Sequence, residues 1–145
     1  MARKITLNEF LKGRKPESPE IEANCNNTIT LVNAFLESYT GDIVVNSGLR
    51  DPGSNRAAGG AIKSTHLTGE AIDLSDKDGK IKDFVLANLQ LVKDLGLWFE
   101  DFRWTNTWVH AQTKPPKSGK RIYIPNTNPP IDSTRWNGKY DKKFD

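Results

Sequence analysis

Histidine occurs only twice in the 145 residues, at His66 and His110, and each stands where it could act as a ligand. His66 opens the segment His66-Leu-Thr-Gly-Glu-Ala-Ile-Asp73, and His110 lies inside Trp108-Val-His-Ala-Gln112. A histidine at the mouth of a strand, an aspartate on that strand and a histidine from a neighbouring strand supply three N/O donors. A catalytic zinc site needs such a set, with a fourth position open for water. Asp73 stands among Ala71, Ile72 and Leu74, where a carboxylate is costly unless it is paired or bound to metal. Spacing alone leaves two readings: a mononuclear metal centre, or a buried Asp–His ion pair without metal.

The flanking blocks bear on that choice. Ser47-Gly-Leu-Arg50, Asn55-Arg-Ala-Ala-Gly-Gly60, Ser64-Thr-His66-Leu-Thr-Gly69-Glu-Ala71-Ile-Asp73 and Trp108-Val-His110 follow one another in this order. Together they resemble the M15 family of zinc peptidases, the D-alanyl-D-alanine carboxypeptidases and L-alanyl-D-glutamate endopeptidases. Members carry S-G-x-R, S-x-H-x-x-G-x-A-x-D and W-V-H, and the resemblance runs from about Leu31 to Gln112. It implies Zn2+ held by His66, Asp73 and His110, with Gly69 turning the backbone tightly between two ligands. It also implies a fold shared with the hedgehog signalling domain. Arg50, by the same resemblance, holds an acidic group of the substrate, since a planar guanidinium grips a carboxylate bidentately. The plainer alternative is a surface arginine after a strand. Ser64 is expected either to hydrogen-bond substrate or ligand surroundings or to cap its loop. Trp108 lines the cleft or packs in the core.

Peptide hydrolysis also requires a base for the attacking water. Many relatives place an acid three residues before the last histidine; here that position is Thr107, and no histidine of the stretch can substitute. The nearest candidates are Glu100 and Asp101. A turn centred on Asn106 sets Trp104 opposite Trp108, Phe102 opposite His110 and Glu100 opposite Gln112. Alternation then puts Glu100 on the face of His110 and Asp101 on the other. A two-residue turn slips the register and reverses the choice. The remaining alternative has both as surface carboxylates pairing with Arg103, in a protein that binds zinc without efficient catalysis.

These residues must be positioned by an α+β domain, a small and mostly antiparallel sheet flanked by helices. Thr6-Leu-Asn-Glu9 has the form of a capping box for a short helix over about 7–12. Ser18-Pro19 starts a long helix whose apolar stripe, Ile21, Cys25, Ile29, Val32, Phe35, Leu36 and Tyr39, is ended by Gly41. Asp42–Asn46 and Glu70–Leu74 read as strands, separated by a glycine-rich loop with one helical turn near Asn55–Ala58. Asp78 is expected to cap a helix through Ile81, Phe84, Val85, Leu89 and Val92, stopped by Gly96. Leu97–Trp104 and Trp108–Gln112 form a hairpin. Residues 1–125 are read as one zinc peptidase domain, and 126–145 as a Pro/Asn-rich, then basic, extension packed on it or trailing from it.

A single cysteine, Cys25, excludes an internal disulfide; on the helix stripe it reads as a packing group. No apolar run approaches a membrane span, and Met1–Lys15 lacks the apolar core of a secretory signal. Synthesis in the cytoplasm is therefore expected, with action on the cell wall after release or as part of a virion, as for a phage endolysin. Net charge is +3, but from Thr113 onward eight basic residues face three acidic ones. That end suits an anionic polymer or is a solubilising tail. Expected partners are the peptidoglycan stem peptide and, as a further candidate, virion proteins. Nucleic acid is disfavoured, because no interleaved aromatic and basic motif accompanies the charge. The competing function is a zinc-binding structural or wall-binding module with little or no turnover.

Overall fold

The computed structural model describes residues 4–58 and 64–123. Helix α1, Leu7–Leu11, forms on the capping box: the Thr6 hydroxyl accepts from the Glu9 N–H and the Glu9 carboxylate from the Thr6 N–H. Helix α2, Pro19–Phe35, starts at Ser18, whose hydroxyl accepts from the Ile21 N–H. It ends at Phe35 rather than near Gly41. Leu36 and Tyr39 stay buried in the turns that follow, so core contacts alone carry the apolar spacing past the helix. Gly41 has another use: a Cβ there would lie 2.2 Å from the Tyr39 hydroxyl.

Among the described residues five strands build the sheet: β1 Val45–Ser47, β2 Ala71–Ser75, β3 Trp98–Glu100, β4 Trp108–Gln112 and β5 Ile122–Tyr123, in the order β1-β2-β4-β3-β5. Three pairings are antiparallel and β3–β5 is parallel, so the α+β class holds but the sheet is mixed. Helix α3, Pro52–Ala57, follows β1 and is capped by Asp51; a 3-10 turn at Thr65–Thr68 leads into β2.

Where one helix capped by Asp78 was expected, there are two, α4 Lys80–Ala87 and α5 Leu89–Asp94. The Asp76 carboxylate accepts from the N–H groups of Ile81 and Lys82 and does most of the capping. The break falls at Asn88, φ −129°, whose side-chain amide donates to the Phe84 carbonyl. The β3–β4 hairpin also differs. Strand β3 stops at Glu100, and the register sets Trp98, not Glu100, opposite Gln112. The cause is Asp101, whose carboxylate accepts from the Arg103 N–H two residues on and folds the chain into a seven-residue loop.

The register sorts the side chains. Ile72, Leu74, Phe99, Val109, Ala111 and Ile122 face the core with Val32, Phe35, Val85 and Val92 of the helices. Phe35 meets Phe84 edge-on at 5.3 Å and Phe99 at 5.6 Å. Burial of such a ring contributes about 1.5–3 kcal/mol. Among the described residues no helix is long and apolar enough to cross a membrane. The expected boundary at 125 and the extension 126–145 lie outside the described residues.

Candidate metal centre

The opposite sheet face carries polar residues in one row. Ser47 pairs with Asp73, Asp73 with His110, and Glu100 with Tyr123; continuing the β3–β4 register by one residue sets Glu100 beside His110. One line across five strands thus reads Ser47, Asp73, His110, Glu100, Tyr123. His66 reaches it from the 3-10 turn, capped by Ser64, whose hydroxyl accepts from the His66 N–H at 3.2 Å. Gly69 closes that turn at φ 75°, and its carbonyl accepts from Thr28 of α2 at 2.8 Å.

His66, Asp73 and His110 offer donor atoms that all lie within 4.8 Å of one another. His66 Nε2 is 3.3 Å from Asp73 Oδ2 and His110 Nδ1 is 2.8 Å from Asp73 Oδ1. The groups behind them set which nitrogen is free. The Gly48 carbonyl can only accept, so at 2.7 Å it fixes the proton of His66 on Nδ1 and leaves Nε2 facing Asp73. The Gln112 amide donates to the Lys114 carbonyl, which turns its Oε1 toward His110 Nε2 at 2.9 Å and the Tyr123 hydroxyl at 2.7 Å. His110 therefore keeps its proton on Nε2 when neutral and presents Nδ1. Two imidazole nitrogens and a carboxylate, each oriented from behind, are a donor set that fits Zn2+.

The charges agree with this arrangement. Burial would raise the Asp73 carboxyl, but its contacts with the His110 and His66 rings outweigh it and hold it well below the usual range. Burial lowers His66, which stays neutral. For His110 burial is overcome by the Asp73 hydrogen bond and charge, and its affinity for a proton is raised. Glu100 is raised by burial, with Asp73 and Asp101 adding to the shift and His110 opposing it.

Arg50 Nη2 lies 3.2 Å from Asp73 Oδ2, Nε donates to Ser47 at 2.9 Å, and the guanidinium lines a cleft with Asp73 and Trp108. Asp101 is turned away: fully buried, it holds Arg103 through both oxygens, at 3.0 and 2.7 Å. The shift of register by two residues preserves parity, so Glu100 stays on the His110 face. Thr107 is exposed, with its carbonyl accepting from the Asp76 N–H. Sequence reasoning missed Gln112 and Tyr123. Only the i, i+2 spacing of Gln112 from His110 could have suggested the first.

Among solved structures, the Serratia marcescens L-Ala D-Glu endopeptidase ChiX is similar over 75% of this chain and 96% of its own, at 19% identity and a TM-score of 0.46. No curated protein matches. The family model for peptidase M15 matches residues 4–112, well over half of the chain and including His66, Asp73, Glu100 and His110. The chain belongs to the M15 peptidase family.

Proposed function

We propose that the protein is a zinc-dependent peptidase that cleaves the stem peptide of bacterial peptidoglycan, at the D-Ala–D-Ala or the L-Ala–D-Glu bond. The observation that carries the reading is the convergence of His66, Asp73 and His110 beside Glu100, at a cleft lined by Arg50 and Trp108. Zinc held by the three ligands would supply Lewis-acid activation of water and of the scissile carbonyl. Glu100 takes the proton of the attacking water and returns it to the leaving amine. Its proton affinity, raised by burial, favours that exchange. Arg50 binds the substrate carboxylate and sets which bond lies over the ligands. The basic balance beyond Thr113 supports a setting against the anionic wall, as a phage lysin.

A second reading, a zinc-holding module without turnover, is favoured by Thr107 at the position where many relatives carry an acid. Purified peptidoglycan incubated with the zinc-loaded protein and analysed by mass spectrometry decides between them. Stem-peptide fragments are expected from the wild type, and their masses identify the bond. Glu100→Gln should lose at least about 100-fold in kcat while keeping its zinc. Loss of activity in Asp101→Asn with full activity in Glu100→Gln would reverse the assignment, and no fragments from the wild type would leave the module.

A further inference from the structure

Besides Asp73, Arg50 and Trp108, the cleft of about 330 Å³ is lined by Lys12 and Arg14, from the turn after α1. Lys12 has no part in the ligand set, yet its backbone is left-handed, φ 49° and ψ 44°. Among the described residues it is the one non-glycine with positive φ. Glycine or asparagine is the usual occupant of such a helix end, and a β-carbon there is disfavoured. A strained residue at a cleft points to a use for its side chain. Lys12 is exposed and has no ion pair among the described residues. Arg14 contacts Asp51 at 3.6 Å, with both side chains partly in water, so its charge is only partly answered.

The turn is anchored to the metal centre. The Phe10 carbonyl accepts from the Leu49 N–H at 3.1 Å, and a Cβ on Gly48 would come within 2.3 Å of that carbonyl. Arg14 donates to the Leu49 carbonyl at 3.4 Å. Gly48 to Arg50 is the segment that orients His66 and carries the cleft's inner cation. Lys12 and Arg14 are thus held at a set place relative to Arg50. Among the described residues three cations line the cleft against one carboxylate, Asp73, which is already engaged by both histidines and by Arg50, so Lys12 and Arg14 have no carboxylate of the cleft to answer them.

We propose that Lys12 and Arg14 form a second anion subsite, which binds a substrate carboxylate other than the one held by Arg50. The substrate class is then a short peptide with two free carboxylates. This rests on the reading of the cleft as a stem-peptide site. Lysine suits the role as a point charge that follows a carboxylate without strict geometry.

The probe is the dipeptide γ-D-Glu–L-Lys, which has two carboxylates and neither of the two bonds proposed for cleavage, together with its two mono-amides. Each is titrated calorimetrically into the zinc-loaded full chain. The diacid should bind about tenfold more tightly than either amide. Lys12→Gly removes the cation and relieves the left-handed strain, so it should melt higher than wild type while losing most of the preference over one amide. A merely structural lysine would give the higher melting point and leave the preference intact. Adding Arg14→Gln should abolish the remainder. Equal binding of diacid and amides, no binding, or full preference in the double variant overturns the subsite. Peptidoglycan digestion is scored separately: discrimination without digestion keeps the subsite and sinks the proposed activity, and digestion without discrimination does the reverse.

Discussion

His110 can present its Nδ1 lone pair only while its other nitrogen keeps a proton, and Gln112 supplies the acceptor that keeps it there. The Gln112 oxygen also receives the Tyr123 hydroxyl, and the amide nitrogen is tied to the Lys114 carbonyl, so its orientation is over-determined. Gln112→Leu would leave two buried donors without their acceptor. Such outer partners typically govern metal affinity by about 10–100-fold. We expect Gln112→Leu to weaken zinc binding within that range, measured by competition with a chromophoric chelator, and Gln112→Glu to restore most of it because an acceptor returns. Unchanged affinity in the leucine variant would mean that the tautomer is set elsewhere. Neither Gln112 nor Tyr123 stood out in the sequence, because a glutamine and a tyrosine acquire this role only through strand register. The two histidines stood out because the chain has no others.

At the scale of elements, what was legible is local and what was not is long-range. Thr6 and Ser18 cap the helices their side chains announce, since an N-cap bond spans three residues. The β3–β4 register lies two residues from the one that a turn centred on Asn106 predicts, because the Asp101–Arg103 contact that sets the loop resembles an ordinary surface pair in sequence. Strand β5 has two residues, too few for an alternating pattern, and the turn at Asn88 hides in a continuous apolar stripe. The 3-10 turn bearing His66 depends on close approach to α2. Gly69 is at φ 75°, and a Cβ there would lie 2.6 Å from Cys25 Sγ. Cys25 itself is a packing group, its thiol pushed up to about 11 chiefly by burial. Gly69→Ala should therefore destabilise the fold by about 2–5 kcal/mol, from left-handed strain and overpacking together. Cys25→Ala removes the clashing sulfur but not the strain. In a urea-melt double-mutant cycle the pair should show a favourable coupling of at least about 0.5 kcal/mol. Strict additivity would place the cost of Gly69→Ala in the backbone alone.

At the scale of the molecule, one polar row crosses all five described strands, so binding at its centre should be felt by the sheet they form. Without metal, the raised proton affinity of His110 keeps a proton at Nδ1, the atom shared with Asp73 and needed by zinc. His66 is lowered by burial and holds no proton that zinc must displace. The sign follows. As pH falls through the raised value of His110, zinc must displace a proton there, and its apparent affinity drops about tenfold per unit. Stabilisation by a ligand of the folded state grows as RT ln(1 + [L]/Kd). The gain from saturating zinc should thus increase by about 1.4 kcal/mol per pH unit on raising pH toward that value, then level off. For a chain of this length that is on the order of 5 °C in Tm per unit. Calorimetric melts with and without zinc between about pH 5.5 and 8.5 would display the slope. In His110→Ala the proton and its competition go together, so the residual zinc effect should be small and lose this slope. A zinc-induced shift in the wild type that is flat across the range would mean that His110 Nδ1 is not the atom zinc and protons contest.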